Sequence, residues 1–198
     1  MIWPEHDSDR PYKGLAELTK EDAFNAIGAI AAALLFAGSE AASAAGAAQV
    51  QQGDIQLAEL AKLPEAKAAQ IVFSSKLFHS VGASRAELVH RVIAEFLGAR
   101  WLARQAKTPR LQRRLLAQLH GRSGVPASLR GLHAWLAYHN DEMASSIIDA
   151  DPYGLLRYGE ISALKPSLAE ELFQALCNLA GNDPYFRAAD WDRKTAAG

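Results

Sequence analysis

Residues 88–102, LVHRVIAEFLGARWL, constrain this chain most, because the hydrophobic period changes within them. Leu88, Val89 and His90 read as extended. From Arg91 onward the apolar residues Val92, Ile93, Phe96, Leu97 and Trp101 fall at helical spacing, as on one face of an amphipathic helix. His90 stands at the seam between strand and helix, where a side chain can be presented to a neighbour without breaking either element. The ordinary fate of a histidine at such a seam is to be packed or capped, and presentation to a ligand is the alternative. Gly98 falls mid-helix, where glycine costs roughly 1 kcal/mol against alanine.

Upstream, Thr19 and Asp22 have the spacing of a capping box with the shorter acid, so a helix is expected from Lys20. It should run to about Ala37 and stop at Gly38, a favoured residue just past a helix end. The 17 uncharged residues between Asp22 and Glu40 touch the lower limit for a membrane span. Alanine dominates them, and Asn25 and Gly28 interrupt them, so a buried helix is the better reading. Residues 41–50 are nearly all small and fit either a closely packed helix or a loose segment. Asp54 is expected to cap a short helix through Lys62, and residues 65–70 to add another helical turn. Ile71-Val72-Phe73 has strand character. Lys76-Leu77-Phe78 and Leu88-Val89-His90 flank a polar turn containing Gly82 and Ser84, which predicts a small hairpin or wing.

Beyond Lys107 the pattern is helical throughout. Thr108-Pro109 supplies an N-cap and first-turn proline for a helix with Leu111, Leu115, Leu116 and Leu119 on one side. Further helices are expected over residues 128–138, over 141–148 with Asn140 as cap, and from Asp151-Pro152 to near Gly159. The last should open at Pro166 with Ser167 and Glu170 at capping-box spacing, carry a stripe of Leu168, Leu172, Phe173, Leu176 and Leu179, and stop at Gly181. The fold class that follows is mainly α. It comprises an irregular arm over residues 1–18, a winged-helix-like domain with a small β-hairpin over 19–106, a stacked helical (HEAT-like) array over 107–190, and a tail over 191–198.

Net charge is −1, so nothing global points to nucleic acid or to a membrane. The distribution is uneven: residues 96–140 carry 8 basic side chains and 0 acidic ones, between two acidic flanks. Arg100, Arg104, Lys107, Arg110, Arg113, Arg114, Arg122 and Arg130 form this block, read first as a solvated face or as partners for the acidic flanks. Its alternative use is anion binding by Arg100, Arg104, Arg110, Arg113 and Arg114, with weak, sequence-indifferent and salt-dependent binding to nucleic acid. A winged-helix nucleic-acid binder using residues 100–130, or a purely structural helical scaffold, is accordingly the alternative reading of the chain. Aromatic residues suited to base stacking are not interleaved with the block, apart from Trp101. Trp101, Trp135, Tyr138, Tyr153, Tyr158, Tyr185 and Phe186 read as anchors between stacked helices.

The phosphate-cradling pattern G-x-x-x-x-G-K-[S/T] does not occur, so no catalytic residue is assigned and no ATP hydrolysis is expected of the chain alone. The histidines at 6, 79, 90, 120, 133 and 139 show no ligand spacing, and no metal site is expected. The single cysteine, Cys177, suits a reducing cytoplasm and reads as core on an apolar helix face. No secretory leader is legible after Met1.

Four segments carry a resemblance. His90, Arg91, Glu95, Phe96, Leu97, Ala99 and Arg100 resemble the H-R-x-x-x-E-F/Y-L-x-A-R segment of STAND-class ATPases, the NACHT-type switch proteins related to NOD-like receptors, with Gly98 where alanine is usual. Residues 125–136, VPASLRGLHAWL, resemble their V-P-x-x-R-G-L-x-A-W-L segment. Residues 151–160, DPYGLLRYGE, resemble D-P-x-x-x-L-R-Y-G-D with Glu160 for the usual acid, and residues 182–187 resemble N-P-x-F-R. The match spans about residues 20–190 and is specific in its order. The resemblance implies a regulatory piece of a larger switch protein, a winged helix that folds back over a P-loop ATPase domain and links it to a sensor region. It implies that His90 looks toward the β-phosphate of ADP. ADP or ATP then enters only with that ATPase core, as partner in cis or in trans, and other protein partners are implied through the sensor region.

Overall fold

The computed structural model describes residues 18–44, 51–82, 84–121 and 124–183. The expected arm and tail, Tyr185, Phe186, Arg122 and most of the N-P-x-F-R segment lie outside the described residues. The fold is mainly α with a small sheet. In chain order it runs α1 (Lys20–Ala37), β1 (Ala41–Ser43), β2 (Ile55–Gln56), a 3-10 turn (Leu57–Lys62), α2 (Ala66–Val72), β3 (Phe78–Ser80), β4 (Arg85–Leu88), α3 (Arg91–Gln105) and α4 (Pro109–Leu119). A 3-10 turn (Ala127–Leu129) then leads into α5 (Arg130–His139), α6 (Asp141–Ala150), α7 (Pro152–Tyr158), another 3-10 turn (Ile161–Ala163) and α8 (Pro166–Asn182).

Local chemistry sets most helix ends. The Thr19 hydroxyl accepts the Asp22 amide at 3.1 Å and donates to the Asp22 carboxylate at 2.6 Å. Gly38 closes α1 in the left-handed region at φ 63°, a conformation that a side chain disfavours. Thr108 and Asn140 cap α4 and α6 through the amides of Leu111 and Glu142.

Helix α3 is the seam of the molecule. One apolar cluster lies on its upstream side, built from Ala26, Ile27, Ile30, Leu34, Val72, Phe78 and Leu97. The other, built from Ala99, Leu116, Leu119, Leu132, Leu136, Met143, Ile147 and Leu155, lies on its downstream side. The helix meets α1 through small residues. A Cβ on Gly28 would stand 2.5 Å from the Leu97 carbonyl oxygen and 2.7 Å from the Trp101 Cβ, while one on Gly98 would stand 3.2 Å from the Ala32 amide nitrogen. Gly98 thus permits close approach, which offsets its poor helix propensity. This contact also reverses one expectation. The buried face of α3 is Ala94, Glu95, Leu97, Gly98, Ala99 and Ala103, whereas Val92, placed by spacing on the inner face, is 61% exposed.

Replacing Gly28 with alanine is therefore expected to cost about 1–3 kcal/mol, the usual scale of overpacking, because the obstructing atoms are backbone and Cβ. Gly98→Ala, with looser contacts and a propensity gain, should stay within about 1 kcal/mol of wild type. Urea unfolding of both variants checks this. Equal losses would mean that α1 and α3 are not held at this crossing.

The hairpin pairs Phe78 with Leu88, His79 with Glu87 and Ser80 with Ala86. It belongs to a four-stranded sheet of order β2-β1-β4-β3, in which β1 runs parallel to β2 and antiparallel to β4. The fully buried Ala41-Ala42-Ser43 strand takes the first three of the small residues, and residues 45–50 lie outside the described residues.

Several expectations are corrected. Ile71 and Val72 end α2 instead of forming a strand, because Ala69 and Val72 at i, i+3 turn one helical face into the core. Asp54 caps nothing. It pairs with Arg85 at 2.8 Å, and Ile55 enters β2. Helix α8 is entered at Pro166 with no side-chain cap on Lys165, and it runs through Gly181 to Asn182. Its stripe is only partly inward: Leu168 and Leu172 are buried, Leu176 and Leu179 half-buried, and Phe173 is 68% exposed. Cys177, one turn beyond Phe173, is exposed and not core. On α4, Leu111 is exposed and Gln112 takes an inward place, donating to Glu142 at 2.7 Å. Among the described residues no helix is long and apolar enough to cross a membrane.

Candidate functional site

His90 is separated from β4 by Val89 alone and is the N-cap residue of α3, extended at φ −135° and ψ 121°, with no capping bond from its side chain. It is exposed, and so are its neighbours Val89 (45%) and Val92 (61%). The first turn of α3 contains no acid, so no side chain of that turn compensates the positive end of the helix dipole. A packed fate for His90 does not fit this exposure.

Arg91, the next residue, is committed elsewhere. Its Nε donates to Glu95 Oε1 at 2.8 Å and its Nη2 donates to the Ser128 carbonyl. Glu95 is 5% exposed, and its carboxylate lies against Gly131 in the first turn of α5, where a Cβ would overlap it. The same device recurs one helix further on. Arg130 at the start of α5 grips Asp151 through two bonds of 2.6 Å, and Asp151 Oδ1 accepts the Gly154 amide at 2.9 Å to cap α7. Three segments that carry the resemblance are therefore tied in series: arginine to carboxylate, and carboxylate onto the glycine of the next helix. Their spacing in the sequence shows none of these pairings, although a glutamate on an otherwise apolar face is the visible signal for the first.

A cleft of about 470 Å³ opens beside Arg91, lined by Leu34, Leu35 and Glu40 from the end of α1 and beyond, Glu87 and Leu88 from β4, and Ser128. These residues offer carboxylates and apolar walls.

The basic block divides. Arg100 bonds Glu21 at 2.6 Å and lies over the Phe24 ring, and Arg104 bonds the same glutamate, so both tie α3 to α1. Arg110, Arg113 and Arg114 project from α4, are exposed, and form no ion pair among the described residues.

A fully buried histidine and a half-buried one escaped sequence reasoning. His133 is 0% exposed, and its Nε2 lies 3.1 Å from Nε2 of His120, the residue that ends α4. Burial first, then the nearby His120, push its pKa down to about 4. His139 sits 3.2 Å from the Phe96 carbonyl within a ring cluster of Phe96, Trp135 and Tyr138, and burial lowers it to about 4 as well. Trp135 and Tyr138 thus act between α3 and α5, although Tyr138 is 44% exposed. Trp101 anchors differently, donating to Glu65 at 3.1 Å. Among the described residues no three His, Cys, Asp or Glu side chains converge as metal ligands.

No protein-family model matches this chain, and neither a characterised protein nor a solved structure matches it.

Proposed function

We propose that this chain is a non-catalytic regulatory module of a STAND-like nucleotide switch, closing over a P-loop ATPase core and coupling it to a sensor region. The observation that carries the reading is the exposed His90 at a helix N-terminus with no acid in its first turn, flanked by the exposed Val89 and Val92. An imidazole donor and a positive dipole end suit a phosphate, and bare valines suit a protein surface that closes over it. The series of ties from α3 to α5 to α7 gives that surface a stiff connection to the distal helices. Contact with nucleotide in the closed state and not in the open one is the differential interaction that biases such a switch.

The test is His90→Leu, in the chain alone and joined to an ATPase core. Alone, the variant should unfold within about 0.5 kcal/mol of wild type, as expected of an exposed residue without partners. Joined to the core, it should speed ADP release on the order of tenfold, since a hydrogen bond to a charged group is worth roughly 1.5–3 kcal/mol. Unchanged ADP release would remove His90 from the nucleotide. ATP turnover by the chain alone that is lost on a point mutation within it would overturn the non-catalytic reading.

A further inference from the structure

Helix α4 carries no acid at all, and its outer face presents Arg110, Arg113 and Arg114 at i, i+3 and i+4, with Lys107 just before its cap. All four are exposed, and none has an ion-pair partner among the described residues. The inner face is satisfied separately by Leu116, Leu119 and the Gln112–Glu142 bond. The arrangement is unfavourable for the helix itself. Like charges stand one turn apart, and they lie toward the N-terminal end, where the dipole disfavours cations.

We infer that this face binds the phosphate backbone of duplex nucleic acid without regard to sequence, independently of any nucleotide switch. An acidic protein segment is the competing occupant, and the exposure of all four cations weighs against it. The cleft described above does not involve α4. Pairs between carboxylates and cations as exposed as these contribute little, because solvent screens them. A polyanion gains from counterion release at each contact and needs no groove. Arg100 and Arg104 are engaged with Glu21, so among the described residues this face offers four cations.

Fluorescence polarisation of the full chain with a labelled duplex of about 20 base pairs, titrated between about 50 and 200 mM salt, tests this. The expected log–log salt slope is no steeper than about −3.6, at about −0.9 per phosphate, with equal affinity for unrelated sequences. The triple variant Arg110→Gln, Arg113→Gln, Arg114→Gln should bring the slope to about −1 and weaken low-salt binding at least tenfold. Its melting temperature should not fall, and Lys67→Gln on α2 should bind as wild type does. No binding at low salt, binding that the triple variant retains, or competition by polyglutamate as effective as by duplex would each overturn the proposal, the last in favour of an acidic protein partner.

Discussion

Acidification from pH 6.5 toward about 4 is expected to destabilise the fold steeply, because two imidazoles, one fully buried and one half-buried, refuse protons that the unfolded chain accepts. His133 and His139 both have folded pKa values of about 4 against an ordinary 6.5. The stabilisation that neutral burial provides is therefore complete above pH 6.5 and is lost as the pH falls through that window. A displacement of this size corresponds to about 3 kcal/mol for each histidine, most securely for His133, which is fully buried. Near the middle of the window the unfolded state holds about two more protons, a slope of roughly 2.7 kcal/mol per pH unit. Urea denaturation at a series of pH values measures it, and His133→Met should halve the slope. Stability that is flat between neutrality and pH 5 would show that neither ring is held neutral.

Asp151→Ala should be the most damaging single change among the ties between helices. Asp151 holds the Arg130 guanidinium through two 2.6 Å bonds and caps α7, with 11% of its side chain exposed. Removing it breaks a largely buried pair, at about 3–5 kcal/mol, with the lower end fitting the 24% exposure of Arg130 and its further contact with the Tyr153 ring. Loss of the cap adds about 1 kcal/mol. Asp151→Asn keeps a capping oxygen and should cost about half as much. In a double-mutant cycle with Arg130→Met, a coupling energy below about 0.5 kcal/mol would show that the pair does not join α5 to α7.

The sequence by itself determined what short-range chemistry controls. Thr19 and Gly38 bound α1, and Thr108-Pro109, Asn140 and Asp151-Pro152 open the next helices, because a cap is a contact between residues two or three apart. The mainly α class with its hairpin was legible for the same reason. The candidate site was legible as a position: His90 at a strand-to-helix seam. Its exposure was not, since that depends on what packs beside the seam. Tertiary structure alone decided that Val92 faces out, because the glycines at 28 and 98 let α1 and α3 meet on a face of small residues that carries almost no hydrophobic period. It turned Ile71 and Val72 into helix against their β propensity, left Cys177 exposed, and paired β1 with β2 across the intervening chain. It also divided one run of cations into Arg100 and Arg104, engaged with Glu21, and Arg110, Arg113 and Arg114, free of ion pairs among the described residues. Glu95 meeting Gly131 and His120 meeting His133 follow the same rule. Such contacts join distant positions, and the free energy that selects them comes from burial of whole helix faces, which no local spacing encodes.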